Sequence, residues 1–101
     1  MPLIIIYVTF PNQKEGEKIT RHLLDKKLIA CVNFFPITSS YLWKGKIEQG
    51  NEIVGLLKSQ EKNWNKIKKE IKKLHSYKIP CIIKMKIDVN EEYEKWVREE
   101  C

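Results

Sequence analysis

Cysteine is scarce in this 101-residue chain, and what there is forms no motif. Cys31, Cys81 and Cys101 are odd in number and widely spaced, and no CxxC occurs. The sequence therefore signals neither a structural zinc site nor a dithiol redox centre. Glycine and proline number only four each, which excludes collagen-like and low-complexity classes. No HExxH, GxSxG, P-loop or GxGxxG is present, so the familiar catalytic and phosphate-cradling signatures are missing and no enzyme is expected. Long apolar runs are missing too. The longest, residues 3–8, is too short to span a bilayer. It also lacks the basic lead-in and small-residue cleavage site of a secretory signal, so a cytoplasmic protein is expected, with its thiols reduced and no membrane partner.

What is present is one domain's worth of chain, 43% hydrophobic and 32% charged, with a formal net charge of +6. That balance suits a single folded domain over residues 1–101. A domain of this size buries only part of its unfolded surface, and oligomerisation is one way to bury more.

Residues 3–10 (LIIIYVTF) are β-branched, short and almost continuously apolar, as a central strand should be. Asn12 then offers a helix cap, with Glu15 three residues on in a capping-box pattern. The helix is expected to run to about Lys27 and to bury Ile19, Leu23 and Leu24. Residues 29–43 read as a long strand. Pro36 inside it cannot donate to a ladder, which places that strand on an edge. Lys44-Gly45 makes a tight turn, and residues 46–58 return as a third strand. A second helix is expected from Ser59 to about Leu74, with Trp64, Ile67, Ile71 and Leu74 at helical spacing. Residues 81–87 (CIIKMKI) alternate as a last strand. Asn90 opens a short terminal helix docked by Tyr93, Trp96 and Val97.

The order is β-α-β-β-α-β plus a helix, the α+β, ferredoxin-like arrangement with an antiparallel sheet. Right-handed crossovers give the spatial strand order 4-1-3-2. The second strand, 15 residues, spans ~50 Å and the first only ~26 Å, so the long hairpin should overhang its own domain. An overhanging edge that carries Tyr41, Leu42 and Trp43 calls for another chain to cover it, and a homo-oligomer is expected.

Candidate chemistry is thin. His22 reads as a solvated helix residue. His75 ends a helix, where an imidazole caps carbonyls or binds a metal. Cys81 follows Pro80 and lies near His75 in sequence. Imidazole and thiolate together would suit copper or zinc, but no local cluster of ligands is visible. RNA-recognition domains share this element order but need sheet-face aromatics on strands 1 and 3. Strand 3 reads EIVGLLKS without one, and the Lys-rich second helix reads as a solvated face, so no nucleic-acid partner is expected.

Five segments in register carry a resemblance: IIIYVTFPNQKEGEKI, LLDKKLIACVNFFP, SSYLWKGKIEQGNEIVGLLKS, LHSYKIPCII and YEKWVREE. Together they resemble the CutA family of divalent-cation tolerance proteins over nearly the whole chain. The resemblance implies a ferredoxin-like homotrimer with long hairpins paired between subunits, a role in the response to metal ions, and copper binding in several members. The family histidine matches His75. The second histidine and the strand-1 cysteine that hold copper with it in some bacterial members fall on Leu74 and Val8. Ser76 stands where the family has proline, and Cys81 where it has glutamate, which makes His75 and Cys81 the candidate metal ligands for copper or another divalent ion. Asn33, Tyr41, Trp43, Lys58 and Tyr77 match positions gathered at the intersubunit cleft. They are candidate ligand residues, with interface packing as the plainer role. The assembly of the family is also similar to that of the trimeric PII signalling proteins. That offers an alternative, a sensor binding a small anion in the cleft through Lys58 and His75.

Overall fold

The structure, a computed structural model, describes residues 2–101. β1 (Leu3–Phe10) leads into α1 (Gln13–Asp25); β2 (Cys31–Trp43) and β3 (Lys46–Gln60) form the hairpin. A 3-10 turn (Glu61–Asn63) opens α2 (Trp64–Leu74), and β4 (Ile82–Ile87) and α3 (Glu91–Glu100) finish the chain. The strands form one antiparallel sheet in the order β2-β3-β1-β4. This is the expected ferredoxin-like α+β arrangement, with β1 inside and Pro36 on the β2 edge. No helix among the described residues is long and apolar enough to cross a membrane.

Alternation along β1 decides which face is sealed. Ile4, Ile6, Val8 and Phe10 are fully buried and meet Ile19, Leu23, Ile67 and Ile71 in one core. Gly16 lets α1 sit close to the sheet. A Cβ there would stand 3.1 Å from both Phe10 and Phe34, tighter than side chains normally tolerate. The opposite face carries Ile5, Tyr7, Leu56, Ile83 and Met85 by strand pairing, and these remain partly exposed. α3 covers only its far end, where Arg98 bonds Gln60 (2.9 Å) and the Tyr93 hydroxyl meets Cys31 Sγ (3.0 Å).

The hairpin overhangs, as its length predicts. β3 pairs with β1 only from Ile53 to Gln60, while it pairs with β2 out to Lys46. Residues 37–43 and 46–52 therefore bond only each other, an overhang of ~24 Å at ordinary strand rise. The molecule is accordingly elongated, 45 × 24 × 21 Å. Its two-residue turn, Lys44 (φ 51°) and Gly45 (φ 81°), has the doubly left-handed backbone whose twist suits hairpins.

Several local expectations give way to tertiary partners. Leu24 is exposed, and Thr20 and Gly16 take its place on the buried side of α1. α1 ends at Asp25 in a Schellman motif, with Leu28 N–H on the Leu23 carbonyl (3.0 Å) and Lys27 N–H on Leu24 (2.9 Å). Ser59 belongs to β3 instead of opening the second helix, and its hydroxyl donates to the Leu28 carbonyl (2.6 Å). Leu74 lies exposed at the end of α2. Asn90 stands at the start of α3, but its side chain makes no capping bond and its amide donates to Glu92 (3.4 Å).

Candidate functional site

The segment between α2 and β4 crosses the end of β1, and His75 pins it there. Its ring is sealed, stacked on Phe10 (5.5 Å between centroids, 12° between planes) and tilted against Tyr77 (4.7 Å). Nε2–H donates to the Thr9 carbonyl (2.8 Å), and Nδ1 accepts the Tyr77 N–H (3.0 Å). A carbonyl can only accept and an amide N–H can only donate, so these partners fix the tautomer. Both nitrogens are engaged, and the ring has no lone pair left for a metal. Glu15 secures the same corner from α1. The Asn12 side chain caps its N–H (2.8 Å), but the carboxylate accepts from Ser76 N–H (3.0 Å) and Oγ (2.9 Å) rather than closing a capping box.

Beyond this corner lies a cavity of about 860 Å³ on the open side of the sheet. The overhang supplies Ser39, Tyr41, Trp43, Glu48 and Glu52. β1 supplies Tyr7 and Thr9; the segment before β4 supplies Tyr77, Lys78, Ile79 and Cys81. The Tyr77 hydroxyl donates to Glu52 Oε2 (2.6 Å). Burial, and then the Glu52 carboxylate beside it, push the Tyr77 phenol well above the usual tyrosine range. Burial, followed again by Glu52, raises the Cys81 thiol, so it favours the protonated form, the poorer metal ligand.

The structure thus divides the candidates. Tyr41, Trp43, Tyr77 and Cys81 share one cavity. His75 lies behind it, holding Tyr77 from the core side. Asn33 and Lys58 stand apart, bonded to each other through Oδ1 and Nζ. Lys58 lies opposite Ile5, while His75 meets Thr9, four residues along β1. At ordinary rise that is ~13 Å of strand, so Lys58 and His75 do not form one anion site within a chain. Among the described residues, no three His, Cys, Asp or Glu side chains converge as a metal site. Val8, at the family's cysteine position, is a fully buried core residue, and Leu74 carries no donor. The residues present do not fit the copper site of those bacterial members.

Two residues went unrecognised in the sequence. Glu52 organises the cavity from a polar stretch that reads as an ordinary strand turn. His22, expected in solvent, instead bonds Glu70 of α2 (2.7 Å), which Lys26 also reaches (3.1 Å). Only strand parity for the first, and the cross-helix register for the second, carried a signal.

Comparison with known proteins agrees with this geometry. Residues 4–100 match the family model described as CutA1 divalent ion tolerance protein. The divalent-cation tolerance protein CutA of Pyrococcus horikoshii is 44% identical over 99 residues, 97% of each chain. Its CutA1 crystal structure superposes with a TM-score of 0.93 over 96% of each chain, at 44% identity. A structure from Archaeoglobus fulgidus, named a periplasmic divalent cation tolerance protein CutA, gives 0.94 over 97% of each chain at 39% identity. With a match over nearly its whole length in both sequence and fold, the chain belongs to the CutA1 divalent ion tolerance protein family.

Proposed function

We propose that the protein serves divalent-cation tolerance as a non-catalytic homotrimer. The observation that carries the assembly is the hairpin overhang. Seven rungs bond only each other, and Leu42 and Ile47 near the tip are 73% and 76% exposed. The sheet also keeps two free edges, β2 and β4, and a half-covered apolar face. An overhang laid against a neighbour's edge is a head-to-tail contact, which closes into a ring when the rotation between copies closes. Family membership supports three copies and the role in cation tolerance.

Copper binding, if it belongs to this chain, uses ligands other than the His75 ring. Light scattering at micromolar concentration should return three times 12.1 kDa. A monomeric mass would end the assembly reading. Copper(II) titration should give equal affinities for wild type and His75→Ala, and a loss of affinity in the variant would restore His75 as a ligand.

A further inference from the structure

Charge is unevenly placed along the chain. Residues 62–87 include nine lysines and a single acid, Glu70. That stretch is more positive than the whole chain, whose net charge is +6, so the remainder is net acidic. Folding concentrates the excess further, onto α2. Ile67 and Ile71 set the buried side of this helix, with Trp64 packed beside them. At 3.6 residues per turn, Lys66, Lys69 and Lys73 fall together on the opposite side. Lys62, in the 3-10 turn, continues the line ahead of them, and all four are exposed. The row runs ~16 Å at helical rise.

No counter-charge lies in it. Glu70 turns toward α1, where His22 and Lys26 hold it. Among the described residues, none of the four ammonium groups has a carboxylate within ion-pair reach. The row also works against the helix that carries it. Like charges three and four residues apart repel. The first turn of α2 has no acidic residue, and Lys66 there opposes the positive end of the helix. A bound polyanion would relieve both penalties.

The chemistry of the row narrows the ligand. Every member is lysine, a compact point charge, and none is arginine, whose fork reads a phosphate through two bonds. No aromatic ring stands in the row for a base to stack on, since Trp64 packs against the core with the Lys68 ammonium 5.2 Å from its ring centre. No apolar side chain stands there to enter a lipid surface. What is left to match is charge alone, repeated every ~5–6 Å. A linear polyphosphate presents that and nothing else. The row faces away from the open side of the sheet and from the overhang, so copies that meet there leave it free.

We propose that the lysine row of residues 62–73, on the outer face of α2, binds inorganic polyphosphate through charge. The row lies within one chain, so the proposal stands or falls apart from the trimer.

The anisotropy of end-labelled, medium-chain polyphosphate should rise saturably with protein, and the affinity should fall steeply with added salt as counterions are released. Lys66→Gln, Lys69→Gln and Lys73→Gln combined should weaken binding at least ten-fold and flatten the salt dependence. Circular dichroism should show this variant folded and melting no lower than wild type, because glutamine keeps the helix propensity and removes the repulsion. Arginine at the same three positions should bind within about two-fold of wild type, since the charge is kept. Removing three charges elsewhere, with Lys14→Gln, Lys18→Gln and Lys95→Gln, should cost less than about three-fold. Equal losses in the two glutamine triples overturn the proposal, because net charge and not the row would then bind. Tighter binding of a single-stranded oligonucleotide, or of phosphatidylglycerol vesicles, at matched phosphate and salt overturns it as well, as does a failure of wild type to bind polyphosphate.

Discussion

The two faces of the sheet are built from the same strands and are finished differently. Under the helices, Ile4, Ile6, Val8 and Phe10 are sealed by the chain's own α1 and α2. On the other side, Ile83 and Met85 remain 48% and 45% exposed and the overhang adds Tyr41 and Trp43, while Leu42 and Ile47 project from the overhang's other face, beyond the reach of the helices. Hydrophobicity alone does not separate the two; closure does. The sealed face is a complete core for a monomer, whereas the open face and hairpin make structural sense only with further copies or a ligand. Stability should therefore divide into a part independent of protein concentration and a part that depends on it.

The largest expected effect lies on the sealed side. Phe10 is fully buried, touches Phe34 edge-on (6.5 Å) and stacks on His75. Phe10→Ala should cost about 3–5 kcal/mol in denaturant unfolding, from lost transfer energy and an incompletely collapsed cavity. The loss should be the same at every protein concentration. A loss that disappears on dilution would mean that this core is completed between copies.

His75→Ala comes next. It leaves the Thr9 carbonyl and the Tyr77 N–H without their partners, each worth about 1–3 kcal/mol if it stays buried and unsatisfied. His75→Gln, which can both donate and accept, should recover part of the stability but not the ring stack. If His75→Gln is no more stable than His75→Ala, the two hydrogen bonds contribute nothing and the ring stack on Phe10 alone holds the corner.

The sequence made the frame of this comparison legible and missed its joints. β1, the hairpin, the turn and the strand order could be read because each rests on a local or topological rule: an apolar run, a proline on an edge, an overlong pair of strands. Leu24, Ser59, Asn90, His22 and Glu15 could not. Each has a locally favoured role, as stripe, cap or solvated residue; Ser59, His22 and Glu15 are redirected by partners 31, 48 and 61 positions away, Asn90 turns to its near neighbour Glu92, and Leu24 yields its place on the buried side to Thr20 and Gly16. Glu15 shows the reason best. Its spacing from Asn12 is right for a capping box, yet the Ser76 N–H and hydroxyl, 61 residues on, take the carboxylate. Of the site, the aromatic residues were readable through family resemblance. The cavity itself was not, since it depends on where the segment before β4 lands against the overhang.

The hairpin overhang should respond to charge at its tip. Leu42 and Ile47 are cross-strand partners, almost fully in solvent. Leu42→Glu combined with Ile47→Lys keeps an opposite-charge pair across the hairpin, worth roughly 0.2–1 kcal/mol, so the fold of each chain should persist. Light scattering should show the trimer mass falling as protein is diluted through a range where wild type stays constant. An unchanged mass would show that the tip projects beyond the contact and that the open sheet face carries the assembly.

The smallest effect sharpens the comparison from the sealed side, at the seam between α1 and α2. Glu70 is held by the His22 ring and the Lys26 ammonium, and these bonds draw its carboxyl down from an ordinary 4.5 to about 2. A carboxyl lowered on folding binds fewer protons in the native state, so its contribution is fully present above the unfolded value. That contribution is lost as the pH falls from about 4.5 toward about 2. Glu70→Gln removes this titration. Its unfolding free energy should therefore fall less steeply than that of wild type across that window, with the two curves differing most above it. Lys26→Ala should flatten the same limb only in part, because the hydrogen bond from His22 is the larger cause and remains. Parallel acid limbs for wild type and Glu70→Gln would show that this seam contributes nothing, and that the helices are held to the sheet by their buried faces alone.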